Sequence, residues 1–346
     1  MNIYVFTKKN AVLKTVFPKS VKFLDFATLA EHTPESGSIC YMDASNLADS
    51  ELKKALTMLK NICRESPWGI IDPKGAVKDP AVLFFEGACD YLGASFFKGS
   101  AAVDSKRIKE ALLWRKTSAD SKFLSAEENE KTAESGAAKN NFFSSGIKLP
   151  SESTFPGWNK MQSGKDMPFY LLYCSIHGNN QLDVRLDAKT LALVYKRFIS
   201  CLDDNFLSGD GLLWMNSGKD CLFLVPPKAK HIEAAIKSCM NMIISTPLIV
   251  LESLAVTFPL DFVFALHYGS VSYKPPGKTG TIVSDAINFI FHLGTKKAEP
   301  GRLTISGELP DKTIPQSLQD CFLPAGEFEG RKIWHTKKFS YAKPWL

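Results

Sequence analysis

The chain has 346 residues, a length that fits two ordinary domains. Hydrophobic residues make up 45%, enough for two cores, and 42 basic against 36 acidic residues leave a scattered formal charge of +6. No dense Lys/Arg run alternates with aromatics, so no nucleic-acid partner is expected. "MNIYVFTKKNAV" lacks the charged start and apolar core of a signal peptide.

Residues 1 to about 116 alternate short apolar runs with helical patterns. "NIYVFT" and "SICYMDAS" read as strands ending in polar turns. "SELKKALTMLKNICRE" sets Leu52, Ala55, Leu56, Leu59 and Ile62 on one helical stripe, with Ser50 as the expected N-cap. "WGIID" reads as a strand, "AVLFFEGACDYLGASF" as a helix broken at Gly87 and then a strand, and "SKRIKEALLWRK" as a closing amphipathic helix. Alternating strands and helices imply a parallel sheet covered on both faces, a flavodoxin-like α/β domain.

From 117 to 166 the composition shifts to Ser, Ala, Lys, Glu and Gly without a sustained period. Such a stretch buries too little apolar surface to offset ordering entropy, which predicts a flexible linker. Its apolar islands, Phe142-Phe143 and Phe155-Pro156-Gly157-Trp158, read equally as docking points or as sticky residues in a disordered stretch.

Order is expected again over 167–340. "FYLLYCSIHG" reads as a strand, followed by a helix capped by Asp187. "GLLWMNSGKDCLFLVPP" reads as a hairpin turning at Asn216-Ser217-Gly218-Lys219, and "HIEAAIKSCMNMIIST" as a second helix. "DFVFALHYGSVSY" reads as a strand, "VSDAINFIFHLGTKKAEPGRLTISGEL" as a helix opening at Asp285, a Pro300-Gly301 turn and a strand, and "AGEFEGRKIWHTKK" as a final hairpin. This order implies an α+β domain of ferredoxin-like type, an antiparallel-rich sheet with helices on one side.

The apolar stretch 242–266 contains Pro247, Glu252, Pro259 and Asp261, which makes a single membrane-spanning helix expensive. A helix end followed by a core strand is expected instead, in a cytoplasmic protein. The eight cysteines form no CxxC pair and most sit in apolar runs, so they are read as buried free thiols, with no metal site.

The helix "DAINFIFHL" followed by "PGRLTIS", alongside "ALHYGSV", resembles the class III adenylate/guanylate cyclase catalytic domain, and the likeness runs through the C-terminal domain in order. The resemblance implies two carboxylates holding two divalent cations over a triphosphate, an Asn orienting the ribose, and an Arg neutralising transition-state charge. It also implies a site formed between two catalytic domains, hence a homodimer or another cyclase-domain protein as partner.

Residue by residue the resemblance departs from a working cyclase. The family's first metal Asp lies in "FxDIxGFT"; here the stretch is "YCSIHGNN", which puts Ser175 in that place and Asn179 and Asn180 after it. The second metal Asp follows a Gly at the hairpin tip, where this chain has Lys219 after Gly218. A lysine there opposes cation binding. Asp220 lies one place on, and reaching it by a one-residue slip turns the strand to its other face. "GDG" at 209–211 imitates the motif, but the strand "CLFLVPP" puts "SGK" at the tip. The base-selecting places fall at Met215 and Thr281; the Asn is kept as Asn288, and the Arg is His292.

"ICYMDASNL" and "GACDYLGASF" resemble the phospho-acceptor strand and the "GAxDYLxKPF" segment of a response-regulator receiver domain. Asp43 then matches the phospho-acceptor. The acidic pair that chemistry needs is absent after "IYVF", where Thr7, Lys8 and Lys9 stand, the Lys-Pro place holds Ala94 and Ser95, and Asp72 ends "WGIID" where a Ser or Thr is expected. An ordinary strand-end Asp capping its own loop is the expected role of Asp43. "GKTG" in the loop after Tyr273 lacks the first glycine of a P-loop.

These readings predict a non-catalytic signalling protein: a degenerate receiver-like domain tethered to a degenerate cyclase-like domain that binds ATP, GTP or a partner domain. No cofactor is expected. The competing expectation is an active or weakly active nucleotidyl cyclase, and only then Mg²⁺ or Mn²⁺.

Overall fold

The structure is a computed structural model and describes residues 2–8, 13–35, 37–63, 66–98, 102–112, 146–148, 155–177, 181–279, 284–310 and 313–339. The chain divides into two compact units, one of Met1–Ser125, Ser245–Pro259 and Ser340–Leu346, the other of Ala126–Ile244 and Leu260–Phe339.

The N-terminal unit holds five parallel strands, β1 (Ile3–Thr7), β2 (Lys22–Asp25), β3 (Ile39–Asp43), β4 (Trp68–Asp72) and β5 (Ala88–Gly93), in the order β2-β1-β3-β4-β5. Every residue of β1, β3, β4 and β5 is buried, as strands covered on both faces require. Alternation divides them between two cores. Tyr4, Phe6, Met42 and Ile70 pack with Leu52, Ala55 and Leu59 of α2 (Asp49–Ile62), whereas Val5, Tyr41 and Ile71 pack with Leu13 of α1 (Leu13–Val16), Phe17 and Ile108. β2 has four residues and mixed exposure, as befits an edge.

Helix α2 begins one residue before the expected cap. Ala48 is its N-cap, and the Glu51 carboxylate accepts from the Ala48 amide at 3.0 Å, so Ser50 lies inside the first turn. The helix α3 (Pro80–Phe85) ends before Gly87, whose φ of 104° turns the chain into β5; α4 (Ala94–Lys98) follows β5, and α5 spans 105–112. Arg107 of α5 makes a two-toothed bond to buried Asp90, Nη2 to Oδ1 at 2.7 Å and Nε to Oδ2 at 3.0 Å. Tyr41 donates to the same carboxylate at 2.8 Å, and the guanidinium lies 4.8 Å from the Phe96 ring centre.

The linker expected over 117–166 lies largely outside the described residues, as do Phe142 and Phe143. Its last part is packed. Phe155 is buried, and Trp158 stacks on Phe169 with ring centres 5.7 Å apart. The Trp158 indole donates to the Asp210 carbonyl at 3.0 Å. The docking reading of that island is the one the structure bears out, because two large aromatic faces find apolar partners.

The C-terminal unit carries a seven-stranded sheet in the order β11-β12-β10-β9-β6-β8-β7. Its strands are β6 (Asp166–His177), β7 (Leu212–Asn216), β8 (Asp220–Val225), β9 (Asp261–Ser272), β10 (Leu303–Ser306), β11 (Phe322–Phe328) and β12 (Arg331–Thr336). β9 and β10 are parallel, and all other neighbours are antiparallel. The helices are α6 (Gln181–Arg185), α7 (Ala188–Phe206), α8 (Ala229–Ile244), α10 (Asp285–Lys296) and α11 (Gln316–Gln319); a short α9 (Thr246–Leu248) belongs to the N-terminal unit. Asp187 caps α7 as expected, accepting from the amides of Lys189 and Thr190 at 3.0 Å.

Helices cover both faces of this sheet, not one. Phe262 and Phe264 of β9 meet Phe198 and Phe206 of α7. Val263 and Ala265, pointing the other way, join Ala286, Phe289, Ile290 and Leu293 of α10. The strand is apolar on both sides, so each face needs a cover.

Among the described residues no single helix is long and apolar enough to cross a membrane; the pair Lys230–Ile244 and Thr246–Ser253 passes by length and composition together but bends by 70°. Six of the eight cysteines are buried and all are free; burial pushes the Cys221 thiol up to about 12.

Candidate functional site

The site predicted from sequence centres on the strand pair β6–β8. Antiparallel pairing sets Ser175 opposite Asp220, Cys174 opposite Cys221 and Tyr173 opposite Leu222. The expectation put Lys219 at the hairpin tip, in the family's second metal place. The register places Asp220 opposite Ser175, and Lys219 lies exposed in the bend outside the strand.

The hairpin loop explains the difference. Only Gly218 and Lys219 lie between Ser217 and Asp220, whose amide and carbonyl are 2.9 Å apart. Gly218 has a φ of 88°, open to glycine at little cost, and its amide donates to the Asn216 side chain at 2.8 Å. A two-residue loop fixes the register of the strands it joins. The offset is taken up in β7, where the register shifts between Leu213 and Met215 and leaves Trp214 as the extra residue of a bulge. The Trp214 indole is buried and donates to the Lys274 carbonyl at 2.6 Å. β8 therefore keeps its apolar face inward with no slip.

Asp220 Oδ1 accepts from two hydroxyls, Ser175 Oγ at 2.7 Å and Tyr173 Oη at 2.7 Å. Tyr173 and Ser175 stand two apart on β6 and so share a face. The Tyr173 ring crosses α10 at Gly294, where an added Cβ would lie 2.2 Å from Cδ1. Burial, with the hydrogen bond to Asp220 second, raises the Tyr173 phenol far above its ordinary range, so it acts as a donor. Tyr173 and Gly294 escaped the sequence reading; the signal was present in "YCSIHG", where Tyr stands in the place of the family's Phe.

A pair of divalent cations finds a poor donor set here. Asp220 is the carboxylate that faces Ser175, and one of its oxygens already accepts from two O–H donors. Among the described residues no group of three His, Cys, Asp or Glu side chains is arranged to hold a metal ion. Two carboxylates, at least, are what a hard-cation pair needs.

The helix α10 opens on Ser284, whose hydroxyl accepts from the Ile287 amide at 3.2 Å. Asn288 and His292 lie one turn apart on its exposed side. His292 Nδ1 is 2.8 Å from Glu329 Oε1, so the residue in the arginine place is engaged with a carboxylate of the β11–β12 turn. Arg331 lies 4.3 Å from the Phe289 ring centre and is held by Glu308 at 2.9 Å and by Asp285. Met215 is half-buried against the core that contains Trp214. Thr281, Asn179 and Asn180 lie outside the described residues.

In the N-terminal unit Asp43 is buried and caps its own loop. Oδ1 accepts from the Ser45 amide at 2.9 Å and hydroxyl at 2.5 Å, and Oδ2 from Thr7 Oγ1 at 2.7 Å. Lys8 is turned to Glu51 at 3.0 Å. Asp72 is fully buried and accepts from the Ala76 and Val77 amides and from Tyr91 Oη at 2.9 Å. Both aspartates do structural work.

No family model and no curated protein matches the chain. Solved structures that it resembles include guanylyl and adenylyl cyclases, over about half of the chain. The guanylyl cyclase Cya2 is 15% identical across 51% of this chain and 94% of its own, with a TM-score of 0.42. The adenylyl cyclase CyaB from P. aeruginosa is 17% identical across 51% and 96%, with a TM-score of 0.41. The catalytic core of a rhodopsin-guanylyl cyclase with converted specificity, in complex with ATPalphaS, is 15% identical across 51% and 100%, with a TM-score of 0.39.

Proposed function

We propose that the chain is a non-catalytic cytoplasmic signalling protein. A receiver-like domain, residues 1–116 completed by residues 245–259, is joined to a degenerate class III cyclase-like domain that binds ATP, GTP or another cyclase domain. Two features of the folds support the class. The parallel order β2-β1-β3-β4-β5 is the flavodoxin-like doubly wound order. The inner strands β9-β6-β8-β7, joined as β6–α7–β7–β8–α8–β9, follow the ferredoxin-like plan.

The single observation that carries the loss of catalysis is the Ser175–Asp220 pair. Where the family resemblance implies two facing carboxylates, this chain has a hydroxyl facing one carboxylate, with Tyr173 donating to the same oxygen. Two O–H donors occupy one oxygen of Asp220 where the resemblance implies a cation. His292, shorter than the arginine the resemblance implies, is turned to Glu329. Asn288 remains exposed on α10, a polar contact for a ribose or for a partner domain.

One observation favours a second reading, a weakly active cyclase: a carboxylate does stand opposite Ser175. Purified full chain incubated with ATP or GTP and Mn²⁺ separates the two. We expect saturable binding of a fluorescent nucleotide and no cyclic product. Cyclic nucleotide that disappears in Asp220→Ala would overturn the non-catalytic reading. In Ser175→Asp, two facing carboxylates predict a Mn²⁺-dependent rise in Tm that the native chain lacks.

A further inference from the structure

The N-terminal unit contains a segment from far along the chain. Residues 245–259, which follow α8 and precede β9, pack with the parallel sheet. The segment is irregular. One turn of α9 widens into a π-helical turn over Ile249–Ser253, and Ala255 follows with a φ of 55°. A π turn and a left-handed non-glycine residue both persist only where surroundings hold them, and both concentrate at functional places.

What holds them is specific. Leu251 is buried in the core formed by Tyr4, Phe6, Met42, Ile70 and Tyr91, and Leu248 packs against the same cluster. Glu252 presents both carboxylate oxygens to the end of β5: Oε1 accepts from the Gly93 amide at 3.0 Å and Oε2 from the Ser95 amide at 3.1 Å. Gly93 makes this approach feasible, since an added Cβ would lie 2.6 Å from Oε2 and 2.7 Å from Cδ of Glu252. An apolar anchor, a two-toothed charged anchor and a glycine cleared to admit it define a docking site.

We infer that the C-terminal end of β5 and the start of α4 form a docking site for an apolar segment ending in a carboxylate, that residues 248–252 of this same chain are its occupant, and that this docking couples the parallel sheet to β9. The route is covalent and short. Glu252 precedes Asp261, the first residue of β9, and β9 pairs along its length with β6, the strand of Tyr173 and Ser175. Buried Leu254, Val256 and Phe258 hold the chain between them, so freeing Glu252 loosens one of several anchors on the way into β9.

Hydrogen exchange of the full chain tests this. In Glu252→Ala we expect the Gly93 and Ser95 amides, and those of residues 254–262, to exchange about tenfold faster or more, the change that a loss of about 1.4 kcal/mol produces. The β3 amides should hold their protection, which reports an intact fold. Gly93→Ala, whose added Cβ would meet the Tyr91 ring at 2.6 Å as well as Glu252, should speed exchange at the same amides and also disturb Tyr91. If Glu252→Ala does not fold, Glu252→Gln keeps one acceptor and should give a smaller change at the same amides. Unchanged exchange at Gly93 and Ser95 would refute the docking site; a change there with residues 254–262 unaltered would refute the coupling.

Discussion

Replacing Gly294 by Ala tests whether the α10–β6 contact shapes the site. The new methyl would lie 2.2 Å from Cδ1, 2.5 Å from Cε1 and 2.6 Å from Cγ of Tyr173. These atoms include the stem of the ring, which cannot swing away as a flexible tip does, so ring and helix must separate. Overpacking of this kind costs about 1–3 kcal/mol. The displaced phenol also leaves Asp220, a loss near the low end of about 1–3 kcal/mol because the half-buried carboxylate regains some water. Alanine returns about 0.8–1 kcal/mol of helix propensity. The net expectation is a destabilisation of about 2 kcal/mol, read from native-state exchange of the β6 amides in a urea series. Tyr173→Phe should cost about 1 kcal/mol, since it removes only the hydroxyl. Combining Gly294→Ala with Tyr173→Val should recover much of the loss, because the smaller side chain vacates the overlap. A Gly294→Ala chain within about 0.5 kcal/mol of the native one would refute the reasoning.

Two further outcomes follow from buried charge. Burial, with the positive Arg331 second, holds the His267 imidazole down to about 3, and its Nδ1 faces Ser306 Oγ at 2.8 Å. The folded value lies below the ordinary 6.5, so the unfolded chain binds a proton the folded one refuses. This contribution to stability is complete above about pH 6.5 and falls as pH drops toward 3, by about 2 kcal/mol at about pH 5. His267→Asn should flatten the difference between denaturation midpoints at about pH 7.5 and about pH 5, and an unaltered difference would assign the pH dependence elsewhere. Arg107→Met removes the two-toothed partner of buried Asp90 and leaves Tyr41 as its side-chain donor, a loss of about 3–5 kcal/mol for the N-terminal unit. Adding Asp90→Asn should recover part of that loss in the same denaturation assay.

Much of the architecture was legible because local pattern and tertiary demand agree. The continuous apolar runs of β1, β3, β4 and β5 need a cover on both faces, and the Asp187 cap and the four-residue spacing of Val194, Phe198, Leu202 and Phe206 announce α7. The position of Asp220 was not legible. Its place opposite Ser175 is set by the pairing of β6 with β8, strands that lie far apart in the chain, and no local pattern announces that register. The role of Glu252 was hidden for another reason. Its partners are backbone amides about 160 positions earlier, a separation over which sequence pattern carries no information. Tyr173 was hidden by similarity: as a core aromatic it satisfies the same pattern as Phe, and only its hydroxyl differs.

The discontinuous make-up of the N-terminal unit bears on how the chain is born. Its five strands leave the ribosome before the segment that completes it, since Leu251 and Glu252 are made roughly 140 residues after α5, a wait of about 7–28 s at ordinary translation rates. During that interval the seat at the end of β5 is bare, with the Gly93 and Ser95 amides unclaimed by Glu252. The early half of the nascent protein is therefore open to chaperones, or to a neighbouring polysome's copy of the 248–252 segment, before its own arrives.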